Sequence, residues 1–191
     1  MGGGYRDVVM AGASTEPIGP FPDGVDPVEH DKLRRRVLWK MPSGLYLIGS
    51  RDQGVKRHLM TANWATQVSF EPKLVAVSVE REALTHALIH EGGAFSLSIL
   101  DREDRAIVRK FVKPVEVGAG GSELSGFAFV ERVTGAPILA QSLAWVDCAL
   151  RHEFDVGGHT LFVGEVVDAG FSKDETTPVL RMEDTRMNYG G

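Results

Sequence analysis

Residues Met60 to Glu80, MTANWATQVSFEPKLVAVSVE, constrain the fold more than any other part of this chain. Leu74 to Val79 is a dense β-branched run, a composition that fills a sheet interior. The preceding half also reads as extended, but it does not alternate apolar residues with Lys, Glu or Arg as a plain half-buried strand does. Thr61, Asn63, Thr66, Gln67 and Ser69 stand there among small residues and one Trp. Short hydroxyls and amides donate and accept hydrogen bonds without carrying charge. Such a wall suits a flat, polar, uncharged ligand lying along a sheet. The alternative is a sheet face that is polar for structural reasons only.

The rest of the chain supports a sheet of short antiparallel strands. Asp26-Pro27 opens a helix, with Asp as N-cap, Pro at the first position and Glu29 three residues on. It is expected to run to about Lys40. Arg34, Arg35 and Arg36 span almost a full turn, so they read as a solvated helix face, with a nucleotide phosphate contact as the alternative. Strands are expected at Leu45 to Ser50, Val55 to about Trp64, Leu74 to Glu80, Ala94 to Leu100, Phe127 to Val133, Leu143 to Val156 and His159 to Gly170. Arg51-Asp52-Gln53-Gly54 and Gly157-Gly158 supply hairpin turns. Helices are expected at Glu82 to Glu91, stopped by Gly92-Gly93, and from an Asp101 cap to about Val112. No regular βαβ alternation is present. The expected fold class is therefore mainly β with α: an antiparallel, closed or nearly closed barrel decorated by helices. Residues 1–25, rich in Gly and Pro, read as a flexible tail before a single domain over 26–191.

Bulk properties exclude several classes. The net charge of −5 and the absence of a basic stripe argue against a nucleic-acid partner. No apolar run approaches the roughly 20 residues needed to cross a bilayer, and the N-terminus lacks a secretory h-region, so no membrane association is expected. A lone cysteine, Cys148, forbids an intrachain disulfide and fits a reducing, cytoplasmic setting.

Candidate chemistry is sparse. Gly118-Ala119-Gly120-Gly121 follows a helix and precedes none, so it reads as a loop and not as a phosphate cradle. His86 and His90 have a zinc-compatible spacing but lack a third ligand, and Cys148 lies in an apolar strand as an inert thiol. Asp101, Glu103 and Asp104 match a helix N-terminus, and no G-x-S-x-G elbow occurs. Arg81 and Thr85 do better. They sit where a core strand passes into a helix, and a guanidinium and hydroxyl near free amides suit a terminal phosphate. His159, after a two-glycine turn, is equally compatible with a structural role and with stacking on a ligand at the barrel mouth.

Taken together, these residues resemble the flavin reductase-like family of FMN-binding split-barrel proteins. The likeness begins at Ser43-Gly44-Leu45 and is strongest over Met60 to Pro72 with Leu74-Val75-Ala76-Val77. It continues through Gly93 to Leu100, Gly135-Ala136-Pro137-Ile138-Leu139 and Gly157-Gly158-His159 to Val166. It implies an antiparallel split β-barrel, a homodimer with the flavin near the subunit seam, and reduction of FMN by NADH or NADPH, with reduced flavin passing to a monooxygenase or other acceptor. By position it implies that Thr61, Ala62, Asn63, Trp64, Thr66, Gln67, Val68 and Ser69 line the flavin, partly through backbone groups. Arg81 and Thr85 would meet its phosphate, Ser98 falls where a short polar residue is common, and His159 would face the nicotinamide or flavin edge. Lys73 and Gly158 depart from the pattern, the second removing an acidic neighbour of the histidine. An FMN electron carrier without nicotinamide turnover, or a barrel holding deazaflavin, pyridoxal phosphate or haem, are the alternatives.

Overall fold

Strand propensity dominates the fold as it does the sequence. The computed structural model describes residues 17, 19–118, 120–185 and 187, which divide into a unit ending at Met41 and a larger one over Pro42–Met187.

In the first unit, helix α1 (Pro27–Leu38) begins where the sequence places it: Asp26 caps it by accepting from the Glu29 amide at 2.9 Å. Asp31 holds both Arg34 (2.6 Å) and Arg35 (3.3 Å), and the Arg34 guanidinium also lies 4.7 Å from the Phe21 ring centroid. The arginine triplet is thus partly neutralised along its own helix.

The second unit carries β1 (Tyr46–Arg51), β2 (Arg57–Ala62), β3 (Ala65–Ser69), β4 (Leu74–Glu80), α2 (Leu84–Gly92), β5 (Ala94–Ile99), β6 (Glu123–Leu124), β7 (Phe127–Glu131), β8 (Pro137–Leu139), β9 (Ala144–Val156) and β10 (His159–Phe171). Seven strands form one antiparallel sheet in the order β2-β1-β5-β9-β10-β4-β3, and β6-β7-β8 form a second. The two edge strands of the large sheet, β2 and β3, are consecutive in the chain. Only Asn63 and Trp64 link them, a span of at most about 11 Å. The sheet must therefore roll until its edges approach, leaving a seam at residues 62–65: an antiparallel split barrel, as expected.

Alternation along β1 sends side chains to two cores. Ile48 joins Ala62, Val77, Val79, Phe95, Cys148 and Phe162 on the inner face, with Ile89 of α2. Leu47 joins Leu59, Leu100, Ile107, Val108, Phe111 and Leu139 on the outer face, beneath the small sheet. Burial pushes the Cys148 thiol up to about 12, which makes it the inert thiol expected.

The helix expected over Asp101 to Val112 is instead two 3-10 turns, Arg102–Asp104 and Ile107–Lys110. Long-range partners hold this segment, and one of them takes the Val108 carbonyl that an α-helix would use. The Phe111 carbonyl accepts from the Thr61 amide at 3.0 Å, the Val108 carbonyl from the Thr61 hydroxyl at 2.6 Å, and the Arg102 amide donates to Pro178. Asp101 does cap the first turn, and Lys173 bridges Asp101 and Asp104.

Candidate functional site

The register of β3, β4, β10 and β9 gathers the site on the outer face of the barrel. The Ser78 amide donates to the Trp64 carbonyl at 3.0 Å, so these residues are a hydrogen-bonded pair. The next pair along the ladder is Ala65 with Val77, then Thr66 with Ala76. Alternation therefore turns the backbone groups of Ala65 and Gln67 away from β4, toward the free edge at the seam. Leu161 lies opposite Ser78 and His159 opposite Glu80, while Phe154 and Val156 continue these rows on β9. Trp64, Ser78, Leu161, Phe154, Glu80, His159 and Val156 therefore share one face.

Trp64 and His159, ninety-five residues apart in the chain, touch across this face with ring centroids 5.0 Å apart and planes tilted by 57°. Trp64 remains 43 % exposed and Phe154 53 %. A barrel that leaves aromatic surface beside strand-edge amides turned away from their neighbour offers both a stacking platform and hydrogen-bond donors. Thr66, Gln67 and Val68 are exposed along the same edge and Ser69 is half-buried. Asn63 is nearly buried at the seam, its amide 3.5 Å from the Ser43 hydroxyl, and Ala62 packs into the inner core.

Arg81 leaves the end of β4 with its amide donating to the Gly158 carbonyl at 3.1 Å, which ties it to the turn before His159. Its guanidinium is exposed, 3.7 Å from Asp155. Ahead of it, α2 starts at Ala83 with no side-chain cap, so its first amides lack a side-chain acceptor.

Three expected ligand contacts need correction. Thr61 shares strand parity with Leu59, faces the outer core, and bonds Val108 through its hydroxyl. Ser98 lies opposite Leu47 on that same side and accepts from the Leu139 amide at 3.0 Å. Thr85 is fully buried, its hydroxyl 3.1 Å from His58 Nδ1. These hydroxyls position strands and α2; none faces the open surface. Asp155 and His58 were not singled out in the sequence. Pairing across the Gly157-Gly158 turn, which puts Asp155 opposite Thr160, was the available signal for the first.

The zinc-compatible histidines engage other partners: His86 Nε2 lies 2.8 Å from the Thr160 hydroxyl and His90 Nδ1 2.9 Å from Glu153. No group of three metal-ligating side chains occurs among the described residues. The glycine loop closes on itself, Gly118 and Gly121 donating to Glu123 and Gly118 carbonyls; Ala119 lies outside the described residues. No described helix is long and apolar enough to cross a membrane.

Against this geometry, a family described as the flavin reductase like domain matches residues 38–190. The chain belongs to that family. Among relatives of this flavin reductase-like chain, the ferric-chelate reductase (NAD(P)H) of Archaeoglobus fulgidus is 37% identical over 147 residues, 72% of this chain and 81% of its own length. The NADH-dependent FAD reductase of Streptomyces globisporus is 31% identical over 156 residues, 80% and 82% of the two chains. A solved structure of the NADH:FAD oxidoreductase from that organism superposes with a TM-score of 0.68 at 28% identity, covering 86% of this chain and 89% of that one; another holds NAD and FAD fragments. The flavin reductase component of a bacterial two-component tryptophan halogenase gives a TM-score of 0.66 at 28% identity, covering 78% and 92%. The chain is also 31% identical to a putative diflavin flavoprotein of Nostoc, of which it spans 24%.

Proposed function

We propose that this chain is an NAD(P)H-dependent flavin reductase that holds FMN against the β3 edge and Trp64. The observation that carries the reading is the Trp64–His159 contact beside the Ala65 and Gln67 amides that face away from β4. The residues fit a flavin: an exposed aromatic face, an uncharged polar edge of Thr66, Gln67, Val68 and Ser69 with Asn63 at the seam, and a cation at Arg81 where β4 ends. The flavin supplies the redox chemistry when bound, accepting a hydride from the nicotinamide. Trp64 and His159 orient the reacting rings, and the β3 edge fixes the flavin by hydrogen bonds. Arg81, with the first amides of α2, holds the phosphate. Thr61, Thr85 and Ser98 act by fixing the walls. No protein acid or base is needed, consistent with a site that lacks a carboxylate dyad.

FMN rather than FAD is favoured by the cation at Arg81, which suits one terminal phosphate at that end of the edge. The exposed face bearing Trp64, Phe154 and Val156 is the surface a second copy would cover in a homodimer with the flavin at the seam. Relatives named as an NADH-dependent FAD reductase and as the flavin reductase component of a halogenase support delivery of reduced flavin to a monooxygenase-type partner. Anaerobic stopped-flow mixing of NADH and NADPH with FMN- and FAD-loaded protein tests the reading. Rapid bleaching is expected with at least one nucleotide; a flavin-loaded protein that neither nucleotide reduces would overturn it.

Two substitutions probe the roles. Arg81→Ala should weaken FMN binding by about 1–2 kcal/mol, the lower range for a charge-assisted contact because the guanidinium is half exposed. Fluorescence titration checks this, and unchanged affinity counts against the phosphate contact. His159→Ala should lower kcat/KM for NAD(P)H oxidation by roughly tenfold while flavin affinity changes less, since misorientation of reacting groups costs rate before binding. Equal losses in both would reassign His159 to the flavin itself.

A further inference from the structure

The hairpin that presents His159 on its outer face presents an acid to Arg81 on its inner one. Asp155 Oδ2 lies 3.7 Å from Arg81 Nη1, and its Oδ1 accepts from the Thr160 hydroxyl at 3.4 Å. The Thr160 oxygen is 2.8 Å from His86 Nε2, and the His86 ring rests against Phe162 with centroids 5.1 Å apart. Phe162 is fully buried in the inner core. A chain of contacts thus runs from the core to the exposed cation and fixes where the carboxylate stands.

The Arg81 and Asp155 side chains are 52% and 70% exposed, so their pairing contributes little to folding. Its effect on a ligand is larger. A phosphate monoester approaching Arg81 meets a guanidinium already partly neutralised, and a second negative charge within a few ångströms. A neutral ligand feels neither.

We propose that Asp155 is a selectivity residue that weakens the hold of Arg81 on a phosphate monoester, so that the phosphorylated ligand exchanges instead of staying bound. The inference rests on the phosphate role given to Arg81 above. The monoester is the FMN phosphate or the 2′-phosphate of NADPH, and Asp155 acts on either through charge alone. An exchangeable flavin is what a reductase serving a separate acceptor requires.

Asp155→Asn keeps the Thr160 acceptor and removes the charge. At low ionic strength, its Kd for FMN should fall roughly three- to tenfold while that for riboflavin stays within twofold, an effect a merely structural role would not confine to the phosphorylated ligand. KM for NADPH against NADH forms the second arm: a selective gain for NADPH would place the monoester on the nucleotide and support the same role. Unchanged FMN-to-riboflavin and NADPH-to-NADH ratios would overturn it. Arg81→Ala separates the two readings. Should that variant leave both ratios unchanged, the phosphate contact and the Asp155 role fail together; should it lower the FMN preference while Asp155→Asn does nothing, only the selectivity role fails.

Discussion

Gly49→Ala is expected to destabilise the barrel by about 3–5 kcal/mol, the largest effect of any single methyl added to this chain's strands. Gly49 sits mid-strand in β1, opposite Ser96 of β5 and Leu59 of β2. A Cβ there would stand 1.9 Å from the Pro137 carbonyl oxygen and 2.2 Å from Ser96 Oγ. Neither neighbour is a flexible side-chain tip. The Pro137 oxygen belongs to the backbone of β8, and the Ser96 hydroxyl donates to it at 2.6 Å. Making room would lift β8 from the barrel, break that bond and strain the Leu139–Ser98 bond two residues on. Overpacking usually costs about 1–3 kcal/mol, and a lost buried hydrogen bond adds to it. A fall in Tm of roughly 10 °C follows for a chain of this size. Gly54→Ala is the control, because the nearest atoms its added Cβ would meet are those of the Asp52 carboxylate, at an ordinary 3.5 Å or more. Equal melting of Gly49→Ala and wild type would show that β8 does not lie over β1.

How much of this was legible in the sequence depends on where each element's partners lie. Leu74–Glu80, Ala144–Val156 and His159–Phe171 were readable as strands because local composition and the Gly157-Gly158 turn agree with their pairing. The α1 start was readable because Asp26, Pro27 and Glu29 act within one turn. Residues 102–110 were not, since the groups that bond to them, Thr61 and Pro178, are distant in the chain. The site divides in the same way. That residues 61–69 are uncharged and rich in hydroxyls and amides was visible, but which of them face the open surface is decided by register with β1 and β4. Thr61 turns into the outer core beneath the small sheet through its parity with Leu59, a clue that counts only once both lie in one strand. Thr85 was misread because its proximity to Arg81 in sequence suggested a shared phosphate, whereas one turn of α2 turns its hydroxyl toward His58. The Trp64–His159 contact needed the sheet to roll.

Acid should loosen the wall that α2 provides, and His58 is the group responsible. Its ring is 5 % exposed on the inner face of β2, with Nδ1 3.1 Å from the Thr85 hydroxyl in the first turn of α2. Burial, and secondarily the nearby Lys56 charge, lowers its pKa from the ordinary 6.5 to about 4. The folded form thus keeps the ring neutral while the unfolded chain takes up a proton near pH 6.5. Above that value both states are neutral and the group costs nothing. Between about 6.5 and 4 the unfolded state binds more protons, so stability falls as pH falls. By pH 4 the loss approaches about 3 kcal/mol, at 1.36 kcal/mol per pKa unit. His86, lowered chiefly by burial, contributes in the same direction, whereas the lowered Asp101 acts only below the ordinary carboxylate pKa of 3.8. Comparing His58→Gln with wild type subtracts both. Denaturant unfolding free energies between pH 7 and 4.5 should decline steeply in wild type and distinctly less in the variant, whatever the variant's stability at neutral pH. Parallel pH profiles would show that His58 is solvated in the folded state. Because His58 and Thr85 join β2 to α2, the same titration should weaken flavin binding in the wild type before global unfolding, as the segment carrying Arg81 loses its support.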